Sequence, residues 1–398
     1  MDLTITPGKL TGRISVIPSK SQAHRLLICA AFADGPTTLY CADTNRDIDA
    51  TAACLNALGA EIIRTKSGYE ITPVTRPPDK AVLPCRDSGS TLRFLLPVAG
   101  ALGVQADFQM EGRLAQRPLS PLWEEMQRMG CTLSRPAANI LRCEGRLKAG
   151  EYRIDGGVSS QFISGLLFAA ALIPGKNRIT VTGKTESRPY IDMTCNAMEI
   201  FGRSSHDFVV CGGMSFHSPG KLTVEGDWSN GAFFLAANSL GNALKVENLS
   251  ESSLQGDRAA ANLLIRLNEH CVISAADIPD LIPILSVVSA CNRGAVFTDI
   301  QRLRLKESDR VESVMAMLRS LGGQAKATED TLAVYGTGLT GGTVDSVNDH
   351  RIAMSAAIAA TACNEPVRIL GAQCVEKSYP KFFEEYRRLG GKYEQYLR

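Results

Sequence analysis

Apolar residues recur at three- and four-residue spacing in six segments of this chain, and each segment ends at a glycine or an asparagine. That spacing places the apolar side chains on one face of a helix, and glycine is favoured just after the last helical turn. A proline or aspartate near the start of each segment is a typical helix-start signal. The pattern predicts amphipathic surface helices at residues 49–59, 118–130, 189–202, 257–268, 309–322 and 380–390.

A second kind of segment alternates with the first and is almost free of charge along its length. A helix that is apolar on all sides is buried on all sides. These segments therefore predict buried helices at residues 19–33, 88–102, 159–173, 229–240, 279–290 and 349–362. Each repeat of about 65 residues then holds one amphipathic helix, one buried helix and several short strands. We expect an α/β fold of six repeats, three in each of two domains; two ordinary α/β domains with similar helices are the alternative.

The starts of the buried segments suggest what the chain binds. Five of the six open with Ser or Asp, and basic residues follow within the first two turns of several: Lys20, Arg25, Arg93 and Arg351. A helix N-terminus presents unpaired N–H groups and about half a positive charge, which favours anions. The pattern predicts a binding site for small, multiply charged anions.

Composition narrows the functional classes. The chain of 398 residues has 43 basic and 41 acidic side chains, a formal net charge of +2. Such a balance argues against a general nucleic-acid or membrane-surface binder, so the cations of an anion site must be concentrated locally. The 12 cysteines include no Cys-x-x-Cys pair, and the five histidines follow no metal-ligand spacing. We expect reduced cysteines and no metal or other cofactor.

The chain carries no segment that predicts a membrane location. Its first residues have no apolar signal core, and the longest uncharged stretch, residues 156–175, contains Gly, Ser, Gln and Pro. That stretch fits a buried helix better than a membrane span. We therefore expect a cytoplasmic protein. Separately, we expect it to act on small molecules and to be a monomer.

Four motifs resemble one family. They are PSKSQAHR at residues 18–25, DSGSTLR at 87–93, LKESDR at 305–310, which we expect to open a helix, and NDHR at 348–351. Together they resemble the EPSP synthases, 3-phosphoshikimate 1-carboxyvinyltransferases, in order from Pro18 to Lys377. The resemblance implies a two-domain inside-out α/β barrel of six βαβαββ repeats. One domain would comprise residues 1–18 and 226–398 and the other residues 19–225, with the active site in the cleft between them.

The resemblance also implies an activity and its residues. Members of the family transfer the enolpyruvyl group of phosphoenolpyruvate to the 5-hydroxyl of shikimate-3-phosphate and release phosphate, a step in aromatic amino-acid biosynthesis. The residues that match contacts to shikimate-3-phosphate are Lys20, Ser21, Arg25, Ser159, Ser160, Gln161, Ser187, Tyr190, Asp280 and Lys306. The residues that match contacts to phosphoenolpyruvate are Lys20, Gly89, Arg93, Arg117, Gln161, Arg310, Arg351 and Lys377.

Three of these residues match catalytic groups. The resemblance makes Asp280 the proton acceptor for the attacking hydroxyl and leaves Glu307 and Lys20 as alternatives for the proton at the methylene carbon. Without the resemblance, Asp280 would be taken as a helix cap, and Lys306, Glu307 and Arg310 as a solvated helix face.

One position departs from the family pattern, and two other functions remain open. Arg302 stands where some relatives carry a substrate-binding Asn, so no role is transferred to it. A sister enzyme transfers enolpyruvyl to UDP-N-acetylglucosamine and generally uses a loop cysteine, but residues 109–121 contain none. A non-catalytic anion-binding protein on the same scaffold is the second alternative; it could dispense with Asp280 and Glu307.

Overall fold

Two hydrophobic cores organise the chain in the computed structural model, which describes residues 1–213 and 215–396. Met1–Ile17 and Gly226–Arg398 form unit 1, and Pro18–Glu225 form unit 2. The uncharged segments of the sequence are central to both cores, as their composition predicts. The helices of unit 2 are α1 (Lys20–Ala31), α2 (Arg46–Ala57), α3 (Gly89–Leu102), α4 (Leu122–Arg128), α5 (Ser160–Leu172) and α6 (Arg188–Ile200). Those of unit 1 are α7 (Trp228–Ser239), α8 (Ala260–Arg266), α9 (Ile282–Cys291), α10 (Arg310–Ser320), α11 (His350–Ala359) and α12 (Phe382–Arg388).

Every predicted helical segment contains a helix, so the alternation of amphipathic and buried helices is confirmed. The glycines that follow five of the amphipathic helices adopt the left-handed conformation, which residues with a Cβ atom seldom do. These are Gly59, Gly130, Gly202, Gly322 and Gly390. No helix within the described residues is long and apolar enough to cross a bilayer.

Several predicted helix starts are wrong. Asp227, not Ser229, caps α7 by accepting from Asn230 N at 2.8 Å, while the Ser229 hydroxyl donates to the buried Asp257. The start of the helix after the motif at 305–310, by contrast, is as predicted: Lys306 is extended, and Asp309 caps α10, which begins at Arg310. Helices α4 and α8 are also shorter than predicted, and a 3-10 turn, Gly256–Ala259, precedes α8. At α7 the capping contact of Asp227 sets the start, and periodicity does not encode such a contact.

Short strands connect the helices and, within residues 1–213 and 215–396, pair into six sheets. The strands are β1 (Asp2–Thr6), β2 (Thr11–Ser15), β3 (Thr37–Tyr40), β4 (Glu61–Arg64), β5 (Gly68–Thr72), β6 (Lys80–Arg86), β7 (Gln105–Met110), β8 (Cys131–Ala137), β9 (Ile140–Gly145), β10 (Glu151–Asp155), β11 (Gly175–Thr182), β12 (Val209–Gly212), β13 (Lys221–Thr223), β14 (Ala243–Glu247), β15 (Cys271–Ser274), β16 (Ala295–Thr298), β17 (Gln324–Ala327), β18 (Thr331–Tyr335), β19 (Gly342–Asp345), β20 (Val367–Leu370) and β21 (Lys392–Tyr396). Among the described residues, each unit holds three sheets.

The sheets repeat one topology, which accounts for the repeat in sequence. In unit 2 the strand orders are β13-β3-β5-β4, β6-β7-β9-β8 and β10-β11-β12, and in unit 1 they are β19-β20-β1-β21, β15-β16-β18-β17 and β14-β2. In each four-stranded sheet one parallel pair is followed by antiparallel pairs. A parallel pair needs a crossover, and α3, α9 and α11 supply it between β6 and β7, β15 and β16, and β19 and β20. Strand β1 lies between β20 and β21, which makes unit 1 discontinuous in sequence.

Close packing of α3 against α5 depends on a glycine. A Cβ atom at Gly165 of α5 would lie 2.3 Å from the carbonyl oxygen of Arg93 on α3. The absence of a side chain therefore lets the two buried helices approach. Their first turns, which carry Arg93 and Gln161, come together as a consequence.

Candidate active site

The helices α1, α3 and α5 of unit 2 begin at serines that the sequence marked. Ser19, Ser88 and Ser159 each accept a hydrogen bond from a backbone N–H of the first turn. Ser159 is the cap of α5 and Ser160 its first residue, and both are buried. These caps satisfy one N–H each and leave other first-turn N–H groups without an intrahelical partner, as at any helix start.

Arg25 joins Ser21 and Tyr190, two residues that are 169 positions apart. Its Nη1 donates to the Ser21 carbonyl and its Nη2 to the Tyr190 carbonyl, both at 2.6 Å, and its Nε donates to Thr194 Oγ1 at 2.8 Å. Arg25 is 2% exposed, and burial lowers its pKa to about 10, so the guanidinium remains charged at neutral pH. An arginine has five N–H donors, so these three bonds leave donor capacity for an anion.

Arg93 and Gln161 form a second pair at the starts of α3 and α5. Arg93 Nη1 donates to Gln161 Oε1 at 2.8 Å, and the amide nitrogen of Gln161 donates to Ser90 Oγ at 2.9 Å. Arg93 Nη2 donates to the carbonyl of Pro118 at 3.1 Å. This last bond ties the loop that carries Arg117 to the start of α3.

Gly89, the first residue of α3, lies directly beside Arg117. A Cβ atom at position 89 would stand 2.6 Å from Arg117 Nη1 and 3.1 Å from Cζ. The backbone of Gly89 is helical and not a turn, so the reason for a glycine here is space and not a positive φ. Any side chain at this position would displace the Arg117 guanidinium.

If Arg117 binds phosphoenolpyruvate, as the family resemblance implies, Gly89→Ala should raise the KM for phosphoenolpyruvate about 10- to 100-fold, because one charge-assisted contact of Arg117 would be weakened. Alanine is the better helix former, so the melting temperature is not expected to fall. Steady-state kinetics with varied phosphoenolpyruvate would measure the effect. Gly8→Ala is the matched control, since nothing lies within 4 Å of a Cβ atom there. An unchanged KM in Gly89→Ala would contradict the assignment of Arg117.

Lys20 has a carboxylate partner that sequence reasoning missed. Its Nζ lies 3.1 Å from Asp47 Oδ2, and both side chains are largely buried. Asp47 is in the first turn of α2, where an acidic residue is unremarkable, so no signal in the sequence pointed to it. The carboxylate compensates the partly desolvated ammonium group and fixes its direction.

A buried polar chain beneath these residues connects α1, α2 and α3. His24 Nδ1 lies 2.7 Å from Thr51 Oγ1, which lies 2.7 Å from Thr91 Oγ1, and the Thr91 hydroxyl donates to Ser88 Oγ at 2.8 Å. Burial and the charges of Lys20 and Arg25 hold the pKa of His24 well below its usual value, so the ring is neutral. These hydrogen bonds between side chains hold α1, α2 and α3 in a fixed position relative to one another.

Ser187 differs from the other serines of the site. It caps α6 in the left-handed conformation, with φ 53° and ψ 41°, and its hydroxyl makes no capping bond. A residue other than glycine is held in this conformation only when its surroundings require it. Ser187 is buried, whereas Tyr190, one turn later, is partly exposed.

In unit 1, Arg310 lies at the centre of a cluster of carboxylates. Its Nη1 donates to Asp280 Oδ1 at 2.5 Å, its Nη2 to Glu307 Oε2 at 2.7 Å and its Nε to Asp349 Oδ2 at 2.9 Å. Arg310 is 1% exposed. The alternative of a solvated helix face is therefore wrong for Arg310, because residues 306–309 precede the helix and direct their side chains differently.

Asp280 is bound by cations and does not cap a helix. The cap of α9 is Leu281, which forms no side-chain bond, so the helix-cap alternative is wrong. Besides Arg310, Lys306 Nζ lies 3.4 Å from Asp280 Oδ1 and Arg351 Nη2 lies 3.6 Å from Oδ2. Burial opposes ionisation, but the charges of Lys306, Arg310 and Arg351 outweigh it and hold the pKa of Asp280 well below its usual range.

Lys306 is the lysine of this cluster, and its surroundings lower its pKa. Burial lowers the pKa of Lys306 to about 8, with Arg310 and Arg302 acting in the same direction and Asp280 opposing them. Arg302, the position that departs from the family pattern, thus lies close enough to influence Lys306. Lysines change their protonation readily when buried, which arginines do not.

Arg351 and Lys377 are also buried in unit 1. Arg351 is in the first turn of α11, and its Nη1 donates to the Ser229 carbonyl at 3.1 Å. Lys377 ends the 3-10 helix Ala372–Lys377 and is 8% exposed. Among the described residues, no group of three His, Cys, Asp or Glu side chains is arranged to hold a metal ion.

Asp257 is a second carboxylate that sequence reasoning missed. It is 1% exposed and accepts a hydrogen bond from Ser229. Burial, together with the negative charge of Asp280, raises the pKa of Asp257 to about 7, against the influence of Arg351. In the sequence it resembled the first residue of an amphipathic helix, and nothing there indicated that it would be buried.

The raised pKa of Asp257 can be tested by comparing the stability of the parent protein with that of Asp257→Asn at several pH values. A carboxyl that holds its proton more tightly when folded loses stability as pH rises from its unfolded pKa, about 4, to its folded pKa, about 7. We expect the variant to gain stability relative to the parent over this range, by up to about 1.4 kcal/mol per pH unit. Urea unfolding at pH 5, 6, 7 and 8 would measure it. The exposed Asp277→Asn is the control, and parallel pH profiles of parent and Asp257→Asn would exclude the shift.

Comparisons with known proteins agree with the fold and the motifs. The family model described as EPSP synthase (3-phosphoshikimate 1-carboxyvinyltransferase) matches residues 5–276 and 269–386. The 3-phosphoshikimate 1-carboxyvinyltransferase of Clostridium kluyveri is 36% identical over 420 residues, which cover 99% of this chain and 98% of that protein. That of Clostridium perfringens is 38% identical over 415 residues, covering 97% and 98%.

A solved structure supports the architecture independently. The EPSP synthase from Acinetobacter baumannii superposes with a TM-score of 0.80 at 23% identity, covering 99% of this chain and 100% of that one. At that identity the likeness concerns the fold. With the family model and the full-length relatives it leads to one conclusion: the chain belongs to the EPSP synthase (3-phosphoshikimate 1-carboxyvinyltransferase) family.

Proposed function

We propose that this chain transfers the enolpyruvyl group of phosphoenolpyruvate to the 5-hydroxyl of shikimate-3-phosphate and releases phosphate. The observation that carries the proposal is the Asp280 carboxylate held among Arg310, Lys306 and Arg351, with Glu307 on the same guanidinium. A proton acceptor surrounded by anion-binding cations suits the deprotonation of a hydroxyl beside a phosphate.

The charge of the substrates supports the assignment of the cations. A phosphomonoester carries about −1.5 to −2 at neutral pH and each substrate adds a carboxylate, so together they bring about five or six negative charges. Eight predicted cations could balance them: Lys20, Arg25, Arg93, Arg117, Lys306, Arg310, Arg351 and Lys377. Five are arginines, whose planar fork suits phosphate and carboxylate.

In unit 2 we assign the remaining binding contacts by chemistry. Hydroxyls and an amide at the start of α5, from Ser159, Ser160 and Gln161, are donors for the phosphate of shikimate-3-phosphate. Ser21, Arg25, Ser187 and Tyr190 would bind the rest of that substrate. Gly89, Arg93 and Arg117 would bind phosphoenolpyruvate, and the contact between Gly89 and Arg117 supports this placement.

The reaction is an addition followed by an elimination. The oxygen of the 5-hydroxyl attacks C2 of phosphoenolpyruvate while Asp280 accepts the proton of that hydroxyl. Glu307 or Lys20 protonates the methylene carbon. The resulting tetrahedral intermediate then loses that proton again and expels phosphate, which leaves the enol ether. No redox step and no cofactor is needed.

Substrate binding would activate Asp280. Lys306, Arg310 and Arg351 keep the pKa of Asp280 low, which makes it a weak base. When phosphate and carboxylate groups take up part of the charge of these cations, their effect on Asp280 decreases. The pKa of Asp280 then rises towards the range in which a carboxylate accepts protons efficiently.

A phosphate-release assay with purified protein tests the function directly. Phosphoenolpyruvate is supplied with shikimate-3-phosphate in one reaction and with UDP-N-acetylglucosamine in another. We expect release only with the first acceptor, together with formation of the enol ether by mass spectrometry. Release with the second acceptor alone would identify the sister activity, and binding of both substrates without release would identify an anion-binding protein.

The proposal also covers the oligomeric state, the location, the need for a metal and the binding of nucleic acid. We infer that the chain acts as a monomer in the cytoplasm, needs no metal and does not bind nucleic acid. The nearly even charge of the whole chain supports the last point. Loss of activity on chelation would contradict the inference that no metal is needed. A mass in solution of two or more times 42.8 kDa would contradict the inference of a monomer.

A further inference from the structure

A cavity of about 580 Å³ opens in unit 2 beside the loop that carries Arg117. Its walls come from residues 115–120, from α4 and from β8, and we call it the Trp123 pocket. The residues that define its chemistry are Arg117, Pro118, Leu119, Trp123, Glu124 and Arg135. The volume is in the range of small-molecule sites.

One wall of the Trp123 pocket is aromatic. Trp123 packs against the core of unit 2 and is only partly buried, so part of its indole remains available to the cavity. Pro118 and Leu119 add apolar surface. The guanidinium carbon of Arg135 lies 5.9 Å from the centre of a Trp123 ring. An aromatic face next to apolar walls suits a flat ring as ligand.

The charges around the Trp123 pocket favour a single negative charge. Arg117 and Arg135 contribute two positive charges and Glu124 one negative, so the lining has a net charge of one positive unit. A carboxylate would bind to a guanidinium while its ring lies on the indole. A second negative charge on the ligand would be repelled by the carboxylate of Glu124.

Arg117 connects the Trp123 pocket to the start of α3. Arg117 lines the cavity, and its Nη1 lies 2.6 Å from the position that a Cβ atom of Gly89 would take. The proposed function assigns Gly89 and Arg117 to phosphoenolpyruvate. A guanidinium that turns towards a carboxylate in the pocket is less available at Gly89.

We propose that the Trp123 pocket binds a small, singly charged ring carboxylate, with its ring on Trp123 and its carboxylate on Arg135 and Arg117. Binding there weakens the affinity for phosphoenolpyruvate through Arg117. The first statement stands independently of the reaction, whereas the second rests on the proposed function. The pocket is thus a site at which a cyclic acid regulates the enzyme.

The binding test uses the two tryptophans of the chain. In a ¹⁵N-labelled protein each indole N–H gives a separate signal, and Trp123→Phe assigns them; the Trp228 indole donates to the Ser250 carbonyl and serves as internal reference. Benzoate is the probe and benzamide its neutral control. We expect benzoate to shift the Trp123 signal saturably in the millimolar range and to leave that of Trp228 in place, and Arg135→Gln to weaken binding about tenfold.

Three outcomes of the binding test would overturn the proposal. They are no shift of the Trp123 signal up to about 50 mM benzoate, equal binding of benzamide, and unchanged binding in Arg135→Gln. Arg135 is exposed on β8, so its substitution is not expected to disturb folding and keeps the test valid if a Trp123 variant is unstable.

The coupling test measures the KM for phosphoenolpyruvate with and without benzoate. We expect benzoate to raise this KM in the parent enzyme and to have little effect in Arg135→Gln or Trp123→Leu, whose activity without benzoate is unchanged. An equal rise in the variants would place benzoate in the substrate site, and no rise in the parent would exclude coupling. If phosphate release fails without benzoate, the proposed function has failed, whereas the indole signals still decide on the pocket.

Discussion

Asp280→Ala is expected to lower kcat about 10²- to 10⁴-fold, the usual contribution of a positioned general base. The KM values should change much less, because the carboxylate binds Arg310, Lys306 and Arg351, which become more available to substrate anions once it is removed. Steady-state rates of phosphate release with each substrate varied in turn would separate the two effects.

The neighbouring Asp277 provides a matched control. It lies three residues earlier in the same loop and is exposed, so Asp277→Ala is expected to retain the parent kcat. Full turnover in Asp280→Ala would remove Asp280 as proton acceptor. A rise of KM with unchanged kcat would instead make it a binding residue.

Arg310→Gln is expected to cost about 3–5 kcal/mol of stability and to abolish measurable turnover. The guanidinium neutralises Asp280, Glu307 and Asp349, and its removal leaves three neighbouring carboxylates without their shared partner. Urea unfolding at pH 7 would measure the loss. The deficit should shrink at pH 5, because Arg310 helps to hold the pKa of Asp280 low; without Arg310 that pKa rises, and protonation of Asp280 relieves part of the repulsion.

Arg304 supplies the control for Arg310. It also pairs with two acids, Asp309 and Glu312, but its side chain and theirs are partly exposed. Surface ion pairs contribute about 0–1 kcal/mol, so Arg304→Gln should change stability by no more than that. Equal losses in the two variants, or a deficit of Arg310→Gln that does not depend on pH, would contradict the described cluster.

Periodicity predicted the architecture because both kinds of helix bury a large apolar surface along the whole segment. The uncharged segment at 159–173, for example, became α5 within two residues at either end. The start of a helix was predicted poorly where a single polar contact decides at which residue the helix begins. Asp227 caps α7, whereas the hydroxyl of Ser229, inside the first turn, donates to Asp257; a pattern of apolar and polar positions does not show which polar residue will cap.

For the site, the family resemblance named residues that contact one another in each unit. Arg93 meets Gln161, Gly89 meets Arg117, and Asp280 meets Arg310. The motifs did not indicate Asp47 or Asp257, because an acid in the first turn of a helix is common and its burial depends on neighbours far away in sequence. Their roles with Lys20 and Ser229 became visible only in three dimensions.

The order of residues alone determined the alternation of helices, the repeat and the identity of the motifs, because these depend on local spacing and residue type. Tertiary structure alone decided which charges neutralise each other and which carboxyls are desolvated. Electrostatic energies depend on distance and burial, and positions 257, 280, 310 and 351 acquire both only when separate helices pack together.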